Sequence, residues 1–212
     1  MRKQTVDMKK LYLFLILAVG MLAATAQEVI KVNYKGAKPT IDDLAWAYLS
    51  SDAGDDGDCI DESLHAAKYA YGQYRKGQPL GDEYRVTVDN KNGYALVEAI
   101  DAEEGYTLKV EMCYWNEADG KHKLFACNVA FFKNGVYDPG QFDGLSFMRY
   151  NNATRTMSYC DAPGFDARYA TDEGHLLSYA LPRSGKDIVV TTWHPTGPTM
   201  KTLKWDGRRF KY

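Results

Sequence analysis

The sequence predicts an α+β fold, in which two N-terminal helices precede a large antiparallel β meander that is sandwich-like or open-barrel-like. Apolar residues recur at helical spacing between about residues 38 and 78. From Glu83 onward they alternate with polar residues, as in strands that have one buried face. The connections between these strands are too short for the helical crossovers of a parallel sheet, so the strands should be antiparallel.

The first 26 residues predict an export signal. Two lysines precede an apolar run that begins at Leu11, and residues 24–26 form an A-x-A cleavage site. The run is short for a membrane span, and no cysteine follows the cleavage site for lipid attachment. We therefore expect residues 1–26 to be a signal peptide and the mature chain to be periplasmic or secreted, with no membrane span.

The mature chain should be a single α+β domain of residues 27–212, because this length suits one domain with a sizeable core. Its helical part covers about residues 38–78 and its antiparallel part about residues 83–212. It carries 22 Lys and Arg residues against 27 Asp and Glu residues, a net charge of about −5. Binding to nucleic acid requires clustered positive charge, so we expect no nucleic-acid partner.

The two predicted helices have recognisable ends and apolar faces. Thr40 and Asp43 have the spacing of a capping box at the start of the first helix. Gly77 should end the second helix. The predicted apolar faces are Ile41, Leu44, Ala45, Tyr48 and Leu49 in the first helix and Ile60, Leu64, Ala67, Tyr71 and Tyr74 in the second.

Three Asn-Gly or Asp-Gly pairs predict β-hairpins with two-residue type I′ turns. The pairs are Asn92-Gly93, Asp119-Gly120 and Asp206-Gly207. A two-residue loop fixes which residues of the two strands lie opposite each other. The first turn opposes Val88 to Val97, and the third opposes Leu203 to Phe210.

Four cysteines in an exported protein suggest disulfide bonds. The second predicted turn opposes Met112 to Cys127, which places Cys113 and Cys127 on opposite faces of the sheet, where they cannot bond to each other. Cys59 is then left to pair with a strand cysteine or with Cys160. We prefer the Cys59–Cys160 pair.

Patterns for metal or cofactor binding are weak. The zinc spacings C-x2-4-C and H-x3-5-H and the Gly-rich phosphate loops are absent, so we expect no metal and no cofactor. The acidic loop before the second helix has the carboxylates and glycines of a calcium loop, but its spacing departs from an EF-hand. A helix-capping turn explains several of its acids. The calcium candidates are Asp52, Asp55, Asp56 and Asp58.

Patterns for catalysis are also absent. The chain has no G-x-S-x-G elbow, no S-x-x-K and no local cysteine-protease signature, so no catalytic residue is predicted. A pair of carboxylates or a triad assembled from distant residues stays open, because such sites are recognised by geometry. A secreted hydrolase is therefore the alternative function.

The aromatic residues give the positive functional signal. The chain has 16 Tyr, 8 Phe and 4 Trp residues, and strand alternation places Trp115, Trp193 and Trp205 on the polar or rim side. Exposed rings flanked by polar groups suit sugars or protein partners, whereas burial in a core or under a second sheet layer is the other explanation. We interpret the chain as an exported, non-enzymatic module that binds a glycan or a protein through an aromatic β surface.

The last strands resemble the ends of a family of secreted or periplasmic proteins of unknown function from Bacteroidetes-type bacteria. Members end in an L-P-R-x-G-x-D stretch and a terminal L-x-W-D-G-x-x-F hairpin. The stretches WNEADGKHKLFA and LSFMRYNNATRTM are similar to the middle of such proteins, and ATAQ is similar to their export junction. The resemblance implies compartment and lineage, and it carries no activity. The matching residues are Leu181, Pro182, Arg183, Gly185, Asp187, Leu203, Trp205, Asp206, Gly207 and Phe210.

Overall fold

A computed structural model describes residues 28–51, 60–138, 144–166 and 176–212. These ranges contain two helices and a large antiparallel sheet in a mainly β, α+β fold, as predicted at this level. The helices lie within residues 41–75 and follow a short first strand, so the predicted detail of two N-terminal helices is not matched exactly. The helices are α1 (Ile41–Ser50) and α2 (Ile60–Arg75). The strands are β1 (Val29–Lys31), β2 (Tyr84–Asp89), β3 (Tyr94–Asp101), β4 (Tyr106–Asn116), β5 (His122–Lys133), β6 (Val136–Tyr137), β7 (Gly144–Asn151), β8 (Thr156–Tyr159), β9 (Leu176–Ala180), β10 (Ile188–His194), β11 (Gly197–Trp205) and β12 (Phe210–Lys211).

The described strands form two antiparallel sheets. The first sheet has eight strands. Seven of them follow the order β1-β8-β7-β5-β4-β3-β2, and the eighth, β6, pairs with the end of β5. The second sheet has four strands in the order β12-β11-β10-β9. Strands β4 and β5 lie at the centre of the first sheet and are its longest pair.

Both helices pack on one face of the first sheet and form the first core with it. Ile41 and Leu44 of α1 and Tyr71 of α2 are fully buried against Met112 and Phe125 of the central strands. Full burial of one such side chain stabilises the fold by about 1.5–3 kcal/mol. This face of the sheet is therefore held by the helices.

The second sheet covers the opposite face of the first sheet and forms the second core with it. Phe210 of β12 lies at the centre of this core, with its ring centroid 5.2 Å from Trp115 and 4.9 Å from Trp205. Leu124 of β5 and Ile188 of β10 are also fully buried there. The order of layers is therefore helices, first sheet, second sheet.

The predicted helix ends are confirmed. Thr40 Oγ1 accepts a hydrogen bond from the Asp43 amide at 3.3 Å, and Asp43 Oδ2 accepts one from the Thr40 amide at 2.8 Å, which completes the capping box. Gly77 follows α2 with a φ of +65°, and its amide donates to the Tyr74 carbonyl at 2.9 Å. A left-handed glycine ends a helix in this way because it has no Cβ to clash.

The predicted apolar faces are confirmed fully in α1 and partly in α2. All five predicted residues of α1 are buried. In α2, Ala67 and Tyr71 are buried and Leu64 is half-buried, whereas Tyr74 is 41 % exposed at the last turn of the helix. The Ile60 side chain lies outside the described residues.

The predicted register of the β4–β5 hairpin is confirmed, and the other two predicted registers are wrong. Met112 lies opposite Cys127, as predicted. In the other hairpins, Val97 lies opposite Val86 instead of Val88, and Phe210 lies opposite Trp205 instead of Leu203. Each of these two registers is shifted by two residues, so each side chain stays on its predicted face.

The shift arises because aspartate side chains organise longer loops than the two-residue turn assumed. Asp89 accepts hydrogen bonds from the Asn92 amide and side chain, which closes a four-residue loop over residues 90–93. Asp206 likewise accepts from the amides of Arg208 and Arg209. The loop of β4–β5 also has four residues, but it is symmetric about its Asp-Gly pair, so the register is unchanged.

A two-residue type I′ turn does occur, at a pair that the sequence analysis missed. Asn134 and Gly135 have φ angles of +51° and +79° and connect β5 to β6, with Lys133 opposite Val136. Positive φ at both central residues defines this turn type.

Neither α1 nor α2 is long and apolar enough to cross a membrane.

Candidate functional site

Two of the three tryptophans predicted to face a ligand are buried, so their predicted exposure is wrong. Trp115 is 3 % exposed and Trp205 is 6 % exposed. Both lie in the second core, because the second sheet covers the face of β4 and β5 that the sequence analysis took to be open. The Trp115 indole Nε1–H also donates to the Lys186 carbonyl at 2.9 Å, which ties the two layers together.

Trp193 is the third candidate, and it is half-buried near the end of β10. Its Nε1–H donates to Ser178 Oγ on β9 at 2.9 Å. Its ring stacks on Tyr137 of β6, with a centroid separation of 5.8 Å and an interplanar angle of 26°. The indole is therefore held in one orientation by two neighbouring strands.

By strand alternation, Trp193 lies on the side of the second sheet opposite to Ile188 and Val190, which we call the outer face. This end of the face is partly covered, because Tyr137 of the first sheet stacks on the Trp193 ring and Ser178 on the same side is only 8 % exposed. Alternation along the strands places Ile188 and Val190 toward the core and the residues between them outward. The pairing registers then give the complete set. The outer face consists of Leu176, Ser178 and Ala180 of β9, Val189, Thr191 and Trp193 of β10, Pro198, Met200, Thr202 and Lys204 of β11, and Lys211 of β12.

One end of the outer face is apolar. Leu176 and Pro198 lie directly opposite Trp193 on either side, and they form one row across three strands. Met200 follows in the next row, opposite Thr191. Met200 is 70 % exposed and Leu176 is 49 % exposed. Contiguous exposed apolar residues of this kind mark interaction surfaces more often than single ones do.

The charge of the chain is segregated onto the second sheet. Residues 176–212 carry seven Lys and Arg residues against two Asp and Glu residues, a net charge of +5. Residues 27–175 carry 15 against 25, a net charge of −10. The second sheet and its connections are therefore basic, although the mature chain as a whole is acidic.

A cleft of about 420 Å³ opens beside the β4–β5 turn. In this cleft, Arg149 Nε donates to Glu117 Oε1 at 2.8 Å, and Arg149 Nη2 donates to Glu117 Oε2. Asp119 Oδ2 lies 2.5 Å from His122 Nδ1 next to it. The polar residues that line the cleft are Glu117, Asp119, Arg149, Cys160, Asp161 and Arg208.

The acids of the β4–β5 turn are engaged by neighbouring groups, which counts against hydrolysis in the cleft. Hydrogen bonds from the His122 side chain and the Lys121 amide hold the pKa of Asp119 at about 2. Asp119 is therefore ionised and cannot donate a proton as a glycoside hydrolase acid must. Both Glu117 oxygens accept hydrogen bonds from Arg149, so a substrate would have to compete with the guanidinium for this carboxylate.

Glu111 has a raised pKa, which is a common property of catalytic acids, but its surroundings are structural. Burial raises its pKa, against the lowering effect of hydrogen bonds from Tyr94, Leu181 and Asn128. It lies between the two sheets and accepts from the Tyr94 hydroxyl at 2.9 Å and the Leu181 amide at 3.4 Å. It does not line the cleft. Its described contacts therefore connect the layers of the fold.

Three potential metal ligands also meet at the cleft. One atom each of Glu117, Asp119 and His122 lies within 4.8 Å of the others, a grouping that zinc-type spacing rules miss because a hairpin turn brings the residues together. The same atoms already pair with Arg149 or with one another. A cation would have to displace the guanidinium, so we assign no metal here.

The remaining predicted site residues are the cysteines and the acidic loop. Cys160 is a free thiol, so the predicted Cys59–Cys160 bridge is absent, and Cys59 itself lies outside the described residues. Cys113 and Cys127 are buried thiols on opposite faces of the first sheet, which confirms that they do not pair. The calcium candidates Asp52, Asp55, Asp56 and Asp58 lie outside the described residues.

Comparison of the chain with protein-family models, curated proteins and solved structures finds no match. The resemblance to secreted Bacteroidetes-type proteins therefore stays a prediction.

Proposed function

We propose that the chain is an exported, non-enzymatic module that binds a glycan through the outer face of the second sheet. The observation that carries the proposal is the fixed Trp193 ring. The ring is half-buried, its Nε1–H donates to Ser178 Oγ, and one of its faces is covered by Tyr137. An aromatic ring that is already held in place loses little conformational entropy when a ligand stacks on it.

The residues around Trp193 suit a sugar chain. Thr191 and Thr202 provide hydroxyl groups that donate and accept hydrogen bonds, and both lie on the outer face. Trp193, Leu176 and Pro198 provide a row of apolar surface for the C–H face of a sugar ring. The alternative function, a secreted hydrolase, has less support, because two of the three carboxylates that line the cleft, Glu117 and Asp119, are held by Arg149 and His122.

Affinity electrophoresis tests this proposal. The mature chain is run in native gels that contain one soluble polysaccharide each, with dextran, xylan, polygalacturonate and dextran sulfate as the set. We expect retardation in at least one gel, and we expect Trp193→Ala to weaken the binding by about tenfold or more, as for removal of an aromatic anchor.

The matched control is Tyr69→Ala. Tyr69 is 56 % exposed on α2, in the layer farthest from the outer face, and should leave the retardation unchanged. The proposal fails if no polysaccharide retards the wild-type chain, or if Trp193→Ala and Tyr69→Ala behave alike. Circular dichroism of both variants checks that the fold is retained.

A further inference from the structure

We infer that the ligand of the outer face is a polyanionic glycan, one whose sugars carry carboxylate or sulfate groups. The inference rests on the proposed glycan-binding function and adds the chemical class of the ligand. Its basis is the charge of the second sheet together with the order of side chains along the outer face.

The charge segregation selects an anionic ligand. The second sheet and its connections, residues 176–212, have a net charge of +5, whereas residues 27–175 have a net charge of −10. A neutral sugar chain gains nothing from this separation. A polyanion is attracted to the second sheet and repelled by the rest of the chain, so it meets the protein in one orientation.

The outer face changes from apolar to basic along β11. Pro198 and Met200 lie beside Trp193 at one end, and Lys204 lies at the other end, opposite Lys211 of β12. Lys204 lies six positions after Pro198 along β11, which is about 20 Å at roughly 3.3 Å per residue. A chain that stacks on Trp193 can therefore extend along the face to reach the lysines.

The two lysines differ in their partners. Lys211 Nζ lies 2.6 Å from Asp206 Oδ2, so its charge is partly neutralised. Lys204 is exposed, and no carboxylate among the described residues forms an ion pair with it. An ammonium group without a protein partner is available to a ligand carboxylate or sulfate. Lys204 is therefore the residue that should contact the anionic group.

Comparison of a sulfated with a neutral glycan of the same backbone tests the inference. In affinity gels, dextran sulfate should retard the wild-type chain at least about tenfold more strongly than dextran. The retardation should fall as the salt concentration rises from about 0.05 to 0.3 M, because ions screen the charges and compete for them. Polygalacturonate tests the carboxylate form in the same way.

Two substitutions on one strand distinguish the effect of a direct lysine–ligand contact on binding from the effect of net charge. Lys204→Glu should weaken dextran sulfate binding by about tenfold, the equivalent of one lost charged contact and one new repulsion. Lys201→Glu changes the net charge equally, and Lys201 is also exposed on β11, but it points to the opposite face. It should weaken binding by less than about threefold. Lys76→Glu, beyond α2, is the remote control.

The outcomes distinguish this inference from the function on which it rests. Equal or stronger retardation by dextran or xylan would leave glycan binding standing and overturn the anionic class. Absence of retardation by every polysaccharide would overturn both. Duplex DNA that retards the chain as strongly as dextran sulfate, or equal effects of Lys204→Glu and Lys201→Glu, would show a general charge effect and overturn the inference.

Discussion

At the scale of single residues, burial of the charged Lys123 side chain is the clearest unfavourable electrostatic feature of the described fold. It is 5 % exposed on β5. Its Nζ donates to Asn116 Oδ1 at 2.5 Å and lies 4.1 Å from the centroid of the Tyr114 ring. Burial, with a smaller contribution from Lys38, lowers the pKa of Lys123 to about 8. A buried ammonium without a carboxylate partner opposes folding while it is charged.

Replacing Lys123 by methionine should stabilise the protein at pH 7 by about 1 kcal/mol, after allowance for the lost ring contact. The unfolded chain keeps the lysine proton up to its ordinary pKa of 10.5, whereas the folded chain loses it near 8. Between these values the unfolded state binds more protons, so wild-type stability should rise with pH, and the variant should lose this rise. Urea unfolding at pH 7 and pH 10 measures both effects. A variant less stable than wild type at pH 7 would show that the ammonium contributes favourably.

The described thiols should be slow to react in the folded protein. Burial, against a smaller opposing effect of Arg149, raises the pKa of Cys160 to about 11, and burial raises the pKa of Cys127 to about 12. Alkylation requires the thiolate, and the greater nucleophilicity of a high-pKa thiolate offsets only part of its scarcity, so iodoacetamide at pH 8 should label Cys160 at least about tenfold more slowly than free cysteine. Cys113 and Cys127 should be labelled only after unfolding. Peptide mass mapping reads each site, and a Cys160 that resists labelling even in denaturant without reductant would reveal a disulfide.

At the scale of elements, the turns depend on glycine to different degrees. Gly120 in the β4–β5 turn has a φ of +66°, and an added Cβ would meet nothing within 4 Å. Gly164 has a φ of +75°, and an added Cβ would lie 2.3 Å from the Phe210 carbonyl oxygen. In the same loop, the Pro163 carbonyl accepts a hydrogen bond from the Phe210 amide at 2.8 Å. Gly164 is therefore a point of close backbone approach to β12.

We expect Gly120→Ala to destabilise the fold by about 1 kcal/mol, the effect of positive φ alone. Gly164→Ala should destabilise it by more than about 2 kcal/mol, because the loop must also move away from β12. Chemical denaturation of the two variants gives the difference. Equal losses would mean that the loop of Gly164 adjusts without disturbing β12.

The sequence predicted those elements whose determinants lie within a few residues. Thr40 and Asp43 identified the start of α1, and alternation identified the faces of β4 and β5. The hairpin registers at Val97 and Phe210 could not be derived, because they depend on side-chain hydrogen bonds of Asp89 and Asp206 that lengthen the loops. An Asp at the end of a strand is the local signal that could have identified them.

At the scale of the whole molecule, two cores share the first sheet. Neither the helices nor the second sheet has another described layer to pack against, so loss of the first sheet exposes both cores. Such an arrangement favours a single cooperative unfolding transition. The polar contact from Asn128 Nδ2 on β5 to the Tyr179 carbonyl on β9, at 2.9 Å, adds to the coupling of the sheets.

Unfolding followed by two probes should therefore give coincident curves. Tryptophan fluorescence reports mainly on the second core and the second sheet, because Trp115 and Trp205 lie in that core and Trp193 lies on that sheet, whereas far-ultraviolet circular dichroism reports on the whole backbone. Midpoints in urea should agree within error. A fluorescence transition that precedes the circular dichroism transition would mean that the second sheet separates first.

The second sheet also explains why the candidate site was predicted only in part. Alternation assigns Trp115 and Trp205 to a face, but it does not say whether another sheet covers that face. Burial of these two rings follows from the packing of residues 176–212 against β4 and β5, which is a long-range contact. The basic character of the same sheet was hidden in the net charge of the chain.

In the central strands β4 and β5, alternate residues face different cores, and this alternation constrains how many residues can be inserted or deleted there. Met112 and Val110 belong to the first core, and their neighbours Cys113 and Glu111 point to the second sheet. One inserted residue in β4 would turn every side chain beyond it to the other side and exchange the linings of both cores at once. An insertion of two residues would restore the assignment, so tolerated changes within these strands should come in even numbers.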